Sequence, residues 1–238
     1  MKKLSLLLKV GATLVLSFLL LNCSNAQNRE VRNVSGFTGV SLSVSADIYL
    51  TQASDFKVEI EGDADCLEKI ETYVEGDILK IKSKDHFNFE FHSKKVKFYI
   101  SMPQITSLSI SGSGDIFAQT AIKSDDLKIK ISGSGNVKVD NLSTKNLDLS
   151  ISGSGDIYMS GMDVAESASY SISGSGDIDN QGLQCKKVEI HVSGSGDVKV
   201  WAVDELNARV SGSGDIYYKG RPIVDAKTSG SGGIHHLQ

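Results

Sequence analysis

The sequence predicts an all-β fold: a β-solenoid, parallel β-helix-like, with about 20-residue repeats and one short helix in its N-terminal part. Three observations carry this. Ser-Gly-Ser-Gly occurs seven times, starting at Ser111, Ser132, Ser152, Ser173, Ser193, Ser211 and Ser229, in steps of 21, 20, 21, 20, 18 and 18 residues, and a near-constant step of that size marks a repeat architecture. Apolar residues alternate with polar ones on both sides of the copies, as in Leu127-Lys128-Ile129-Lys130-Ile131 before one and Val137-Lys138-Val139 after it, which is the period of a half-buried strand. Finally, two prolines and 23 glycines suit an extended β architecture better than a helical one.

Residues 1–26 read as a secretion signal: Lys2 and Lys3 lead, an apolar stretch follows over residues 4–21, and small residues close it. Two processing routes compete. Leu20-Leu21-Asn22-Cys23 has the look of a bacterial lipobox, which would make Cys23 a lipid-attachment site, whereas Ser24-Asn25-Ala26 suits ordinary cleavage before Gln27. Either route removes three lysines and takes the net charge from −4 to −7. A mildly acidic chain is a poor nucleic-acid binder, because that affinity rests on basic side chains meeting phosphates. No later segment is apolar and long enough to span a bilayer, so membrane contact is expected only through the signal or a lipid anchor.

Residues 28–105 form an N-terminal β region. Val40, Leu42, Val44, Ile48 and Leu50 alternate with polar or small residues, and Phe56, Val58 and Ile60 form a second run. The stretch from Asp63 to Glu71 has helical apolar spacing with Asp63 or Asp65 available as a cap, which predicts the helix. Glu75-Gly76-Asp77 predicts a turn between strands at residues 72–74 and 78–81. Phe87, Phe89 and Phe91 form a stripe expected to plug the open end of the downstream repeats, and Val96, Phe98 and Ile100 follow.

Residues 106–238 form the Ser-Gly-Ser-Gly-Asp repeat solenoid, continuous with that region. At about 3.3 Å per residue a 20-residue step traces roughly 65 Å, one coil of two or three strands. If the strand continues through the motif, Gly133 and Gly135 face inward with Ile129 and Ile131, and Ser132 and Ser134 face out. The missing side chains let the backbone turn a corner or two sheets approach. An antiparallel meander with each motif as a hairpin loop is the competing topology, but four small residues exceed what a turn needs.

Two blocks, Phe37-Thr38-Gly39-Val40-Ser41-Leu42 leading to Ala46-Asp47-Ile48-Tyr49-Leu50-Thr51-Gln52, and Val58-Glu59-Ile60-Glu61-Gly62-Asp63 leading through Leu67-Glu68-Lys69-Ile70-Glu71-Thr72 to Ile78-Leu79-Lys80-Ile81, precede the Ser-Gly-Ser-Gly-Asp repeats. In that order they resemble the bacterial secreted family called "putative auto-transporter adhesin, head GIN domain", over nearly the whole chain after the signal. The resemblance implies a repeat-built, all-β envelope protein of a Gram-negative, Bacteroidetes-type bacterium, exported as an outer-membrane lipoprotein or to the periplasm or cell surface. It brings no catalytic residue.

The strongest candidate for chemistry is the column Asp115, Asn136, Asp156, Asp177, Asp197 and Asp215, which follows the motif one coil apart. Carboxylates at a coil spacing of about 4.8 Å repel by roughly 1 kcal/mol per pair in water. Each Asp either folds onto a nearby backbone N–H or hydroxyl, or pairs of them hold Ca²⁺, a hard cation that takes several oxygens. Known calcium solenoids repeat every nine residues with a different Asp offset, so the expectation is architecture with no cofactor, and Ca²⁺ is the minority alternative. A polysaccharide-cleaving enzyme on a β-helix is the other function class, but it needs two carboxyls in unlike environments, whereas these repeat identically. Trp201 is the only tryptophan, and Tyr49, Tyr158, Tyr217 and Tyr218 are the remaining sugar-stacking candidates. His86 and His92 lie about 20 Å apart along a strand, too far for joint ligation, and His235 and His236 sit at the tail. Cys66 and Cys185 have unlike neighbourhoods and are expected as two buried free thiols. The sequence therefore predicts a non-catalytic binding or structural protein of the envelope, an adhesin, contacting glycan or protein of the envelope or host, with self-association through the flat repeat faces a further expectation.

Overall fold

Strand-forming alternation becomes eighteen strands in a single sheet in a computed structural model that describes residues 28–84 and 96–238. In chain order they are β1 (Asn28–Val31), β2 (Gly39–Leu42), β3 (Ala46–Gln52) and β4 (Lys57–Gly62); then the short helix α1 (Ala64–Leu67); then β5 (Ile70–Glu75), β6 (Ile78–Ser83), β7 (Val96–Met102), β8 (Ser107–Ile110) and β9 (Ile116–Ala118). The repeat portion supplies β10 (Ile122–Ile131), β11 (Val137–Ile151), β12 (Ile157–Gly161), β13 (Ala165–Gly174), β14 (Ile178–Gly194), β15 (Val198–Gly212), β16 (Ile216–Lys219), β17 (Ile223–Gly230) and β18 (Ile234–His236).

The repeat strands pair in parallel, which settles the topology as a solenoid of about six turns and removes the meander. Strands entering the Ser-Gly-Ser-Gly corner form one ladder, in the order β6, β2, β8, β10, β11, β13, β14, β15, β17. Strands leaving it form a second, from β7 and β3 through β9, β11, β12, β14 and β15 to β16 and β18. The long strands bend between the two, so residues such as Ile122 and Leu142 pair on a third side. Inward columns fill the interior: Leu108, Ile129, Leu149, Tyr170, Ile190 and Ala208 on the entry ladder, and Ile48, Ile116, Val137, Ile157, Ile178, Val198 and Ile216 on the exit ladder, all essentially without solvent exposure.

The order of coils departs from the order of the chain. β2 and β3 lie between the coil of β6–β7 and the coil of β8–β9, so Thr106 N donates to Thr38 O at 2.8 Å across 68 residues. The chain thus lays one coil, descends through β4, α1 and β5 to lay another beneath it, and returns above. Antiparallel strands close this lower end: β5 on β6, and β4 on β7 with β1 beyond it. Arg29 of β1 binds Glu61 of β4 at 2.6 Å, which raises the guanidinium pKa and lowers the carboxyl pKa through their hydrogen bond.

The helix is shorter than its apolar spacing predicts. Asp63 stands at the N-cap position without a side-chain cap bond, and the helical turn stops at Leu67 because Ile70 and Glu71 are drawn into β5, where Ile70 is fully buried. The turn at Glu75-Gly76-Asp77 forms as expected, with Gly76 at φ 62°. The Phe87, Phe89 and Phe91 stripe, His86, His92, the signal and Cys23 lie outside the described residues.

Candidate functional site

Each Ser-Gly-Ser-Gly corner is built by close backbone approach. Gly135 and Gly155 are buried, Gly133 and Gly153 half-buried, and the serines exposed, as the alternation requires. The carbonyl of Gly133 accepts both Ser154 N at 2.9 Å and Gly155 N at 3.1 Å from the next coil, and Gly153 repeats the pattern toward Ser175 and Gly176. A Cβ on Gly155 would sit 2.0 Å from Gly135 O. These glycines therefore exist for coil-to-coil contact.

The aspartate column is a hydrogen-bonded ladder. Asp115 Oδ1 accepts the backbone N–H of Asn136 at 2.8 Å, Asn136 Oδ1 accepts Asp156 N at 3.0 Å, and Asp156, Asp177 and Asp197 each accept the N–H one coil above at 2.9, 2.8 and 2.7 Å. Asp215 closes the run by accepting Gly233 N at 2.7 Å. Gly233 has no carboxylate to leave without a following N–H, and a Cβ there would strike the His235 ring at 2.5 Å. That bond to Gly233, followed by the His235 contact, lowers the Asp215 pKa. The contribution is therefore present above the ordinary carboxylate range and lost as pH falls through the lowered folded-state value.

Repulsion along the column is relieved by these donors, since a charge-assisted bond to N–H favours the ionised carboxylate. Among the described residues no group of three or more His, Cys, Asp or Glu is arranged to hold a metal ion. Because Asn136 already performs the same service, Asp177→Asn is expected to unfold within about 0.5 kcal/mol of wild type, and Asp177→Ala to lose about 1 kcal/mol. Urea unfolding, run in Ca²⁺ and in chelator with equal midpoints expected, checks both.

The tyrosines divide by column. Tyr99, Tyr49 and Phe117 are in register on the outer exit ladder, stacked at centroid distances of 5.3 and 5.7 Å, with Arg29 4.5 Å over Tyr99. Their faces are occupied by one another, so Tyr49 is a packing residue and no sugar platform. Tyr158 and Tyr217 continue the same column, with hydroxyls directed at Asp156 (3.1 Å) and Asp215 (3.4 Å); Tyr217 stacks on His235. Tyr158 is 45% exposed with no ring stacked on it among the described residues. Tyr218 lies on the inward side beside His236. Trp201 sits on the third side, paired with Lys219.

Both described thiols are free; Cys185 is buried and Cys66 only half-buried. Tyr170 is fully buried, receives Asn180 Nδ2 at 2.5 Å and meets Cys185 Sγ at 3.8 Å. Desolvation raises the Tyr170 pKa well above its ordinary value and pushes the Cys185 thiol up to about 11.

A groove of about 850 Å³, marked by no sequence motif, runs along the entry ladder. One wall is the row Asp126, Asn146, Ser167, Lys187, Glu205 and Ile223, in strand register. The other is Lys128, Asp148, Ser169, Glu189, Asn207 and Asp225. Between the walls runs the strand backbone at Leu127, Leu147, Ala168, Val188 and Leu206, whose side chains are buried in the core. Six coils at about 4.8 Å make it roughly 25 Å long. Neighbouring coils tie the walls together, with Lys128 to Asp148 at 2.6 Å, Asn146 to Asp126 at 2.8 Å and Ser167 to Asn146 at 2.8 Å. The signal was present in the sequence: the walls are the outward positions four and six residues before each motif, the most chemically varied columns of the repeat.

The family profile described as "Putative auto-transporter adhesin, head GIN domain" matches residues 36–222. Among solved structures, a "putative adhesin" from Bacteroides fragilis is similar at 25% identity and a TM-score of 0.81, covering 90% of this chain and 98% of that one. A "putative lipid binding protein" from Parabacteroides distasonis is similar at 26% identity and 0.70, covering 89% and 97%. A "putative adhesin" from Parabacteroides merdae, at 23% identity and 0.68 over 90% and 98%, shares the fold. No curated protein matches the chain.

Proposed function

Because the chain belongs to the head GIN domain family of adhesin-type proteins, we propose that it is a non-catalytic binding protein of the cell envelope that holds an extended glycan in the groove along its entry ladder. The observation that carries this is the groove itself: two rows of amide, hydroxyl, carboxylate and ammonium groups set at coil spacing on either side of the strand backbone. An extended saccharide presents hydroxyls on both edges, so two polar walls along one line complement it. The acidic groups of the walls are engaged by neighbouring coils, Asp126 by the Asn146 amide and Asp148 by the Lys128 ammonium. Export with attachment through Cys23, or release into the periplasm after cleavage before Gln27, would place the rod where such polymers occur.

Ser169 is exposed at mid-groove, so Ser169→Trp should block the groove without entering the core. Binding to immobilised envelope and host polysaccharides should fall about tenfold or more, as expected when a bulky group displaces a central contact, with the thermal midpoint unchanged. Undiminished binding by this variant would remove the groove from the proposal.

A further inference from the structure

Beyond that reading, the two ends of the solenoid differ. Antiparallel strands cover the lower end, whereas at the upper end β17 pairs, among the described residues, only with β15, and every residue of β17 is exposed. Ile223 is 79% and Val224 40% exposed, although Val224, Ala226 and Thr228 continue the inward columns of Leu206, Ala208 and Val210. In these ladders the outward residues turn their backbone groups toward the coil below, as Lys128 N does toward Thr106 O, and inward residues turn theirs upward, as Ile110 O does toward Ser132 N. The N–H and C=O groups of Val224, Ala226 and Thr228 therefore line the free edge.

We propose that this edge is a self-association surface, on which β17 of a second copy pairs antiparallel about a two-fold axis at Ala226. The register follows from three constraints. Inward residues must face inward residues to continue the core, so the axis passes through a residue and not between two. An axis at Asp225 or Lys227 would set like charges directly opposite, which is unfavourable. An axis at Ala226 sets Asp225 against Lys227 of the partner subunit on the outer face twice over, and sets Val224 against Thr228 of the partner subunit within the core. It also puts the upward-facing backbone groups of Val224, Ala226 and Thr228 at the hydrogen-bonded positions and the charged pairs at the closer non-hydrogen-bonded positions. The chain closes its own lower end in the same manner, with antiparallel β5 on β6.

The test is sedimentation velocity on the purified protein across concentration, with circular dichroism to confirm the fold of each variant. Wild type should show a reversible dimer. Lys227→Asp and Asp225→Lys should each raise the dissociation constant about tenfold or more, since each places two like-charge pairs across the axis. Mixed together the two variants should restore dimers, because in the heterodimer both pairs across the axis again join a carboxylate to an ammonium. A wild type that stays monomeric, or a dimer unaffected by both variants, or a mixture no better than its parts, would overturn the proposal.

Discussion

Gly155→Ala is expected to destabilise the protein by about 3 kcal/mol or more, far beyond an ordinary overpacking substitution. The added Cβ would lie 2.0 Å from Gly135 O and 3.0 Å from Ile131 Cγ2. Its obstacle is backbone, which is itself fixed by the bonds of Gly135 to the coil below, so no rotamer change relieves the clash. The neighbouring corners would have to separate, losing the paired N–H groups that converge on Gly133 O. Urea unfolding followed by far-ultraviolet circular dichroism measures this directly. Ser154→Ala is the control, because that side chain is exposed, and should leave the midpoint within about 0.5 kcal/mol. A Gly155→Ala variant as stable as this control would show that the corners are not in the contact described.

The second large effect is loss of stability in alkali. Burial raises the Cys185 pKa from 9.0 to about 11, so the folded state keeps a proton that the unfolded chain releases. Stability from this group is complete below the unfolded value near 9 and falls as pH rises toward 11, because above 9 the unfolded state binds fewer protons. A rise of that size corresponds to about 2.7 kcal/mol. Tyr170, raised in the same direction by burial, extends the decline. Unfolding free energies at intervals from about pH 8 to about pH 11 should trace this fall, and Cys185→Ala should flatten its first part. Cys66, being half-buried, should react with a thiol reagent in the native state while Cys185 does not.

The repeat portion was legible because its determinants are local: a glycine pair at a contact, an aspartate after it, and period-two strands on both sides. The first coil was concealed by a milder version of the same motif, Ser43-Val44-Ser45-Ala46-Asp47-Ile48. Ala46 lies opposite Gly114, whose own Cβ would meet Ala46 O at 2.1 Å, so the motif's glycine requirement begins only with the coil above. The Ser-x-Ser-x-Asp-Ile spacing was the signal available. The insertion of β2 and β3 between later coils had no local signature, since it depends on which edges pair across 68 residues. The aspartate ladder was anticipated in kind, a carboxylate on a backbone N–H, but its partner belongs to the adjacent coil, which a motif seen singly does not reveal. The groove is a property of register: its wall residues are separated by about a coil in sequence and acquire a common surface only on stacking.

Both ladders, the glycine corners and the aspartate run have their hydrogen bonds directed along the stacking axis. Tension applied to the chain at one end of such a rod peels coils apart one after another, because the load falls on the few bonds at the peeling front, whereas force along the strands would load a whole row in shear. Each coil released would add about 65 Å of slack at roughly 3.3 Å per residue. A rod of this construction yields to a pull by lengthening in steps, and the coils not yet reached keep their share of the groove intact.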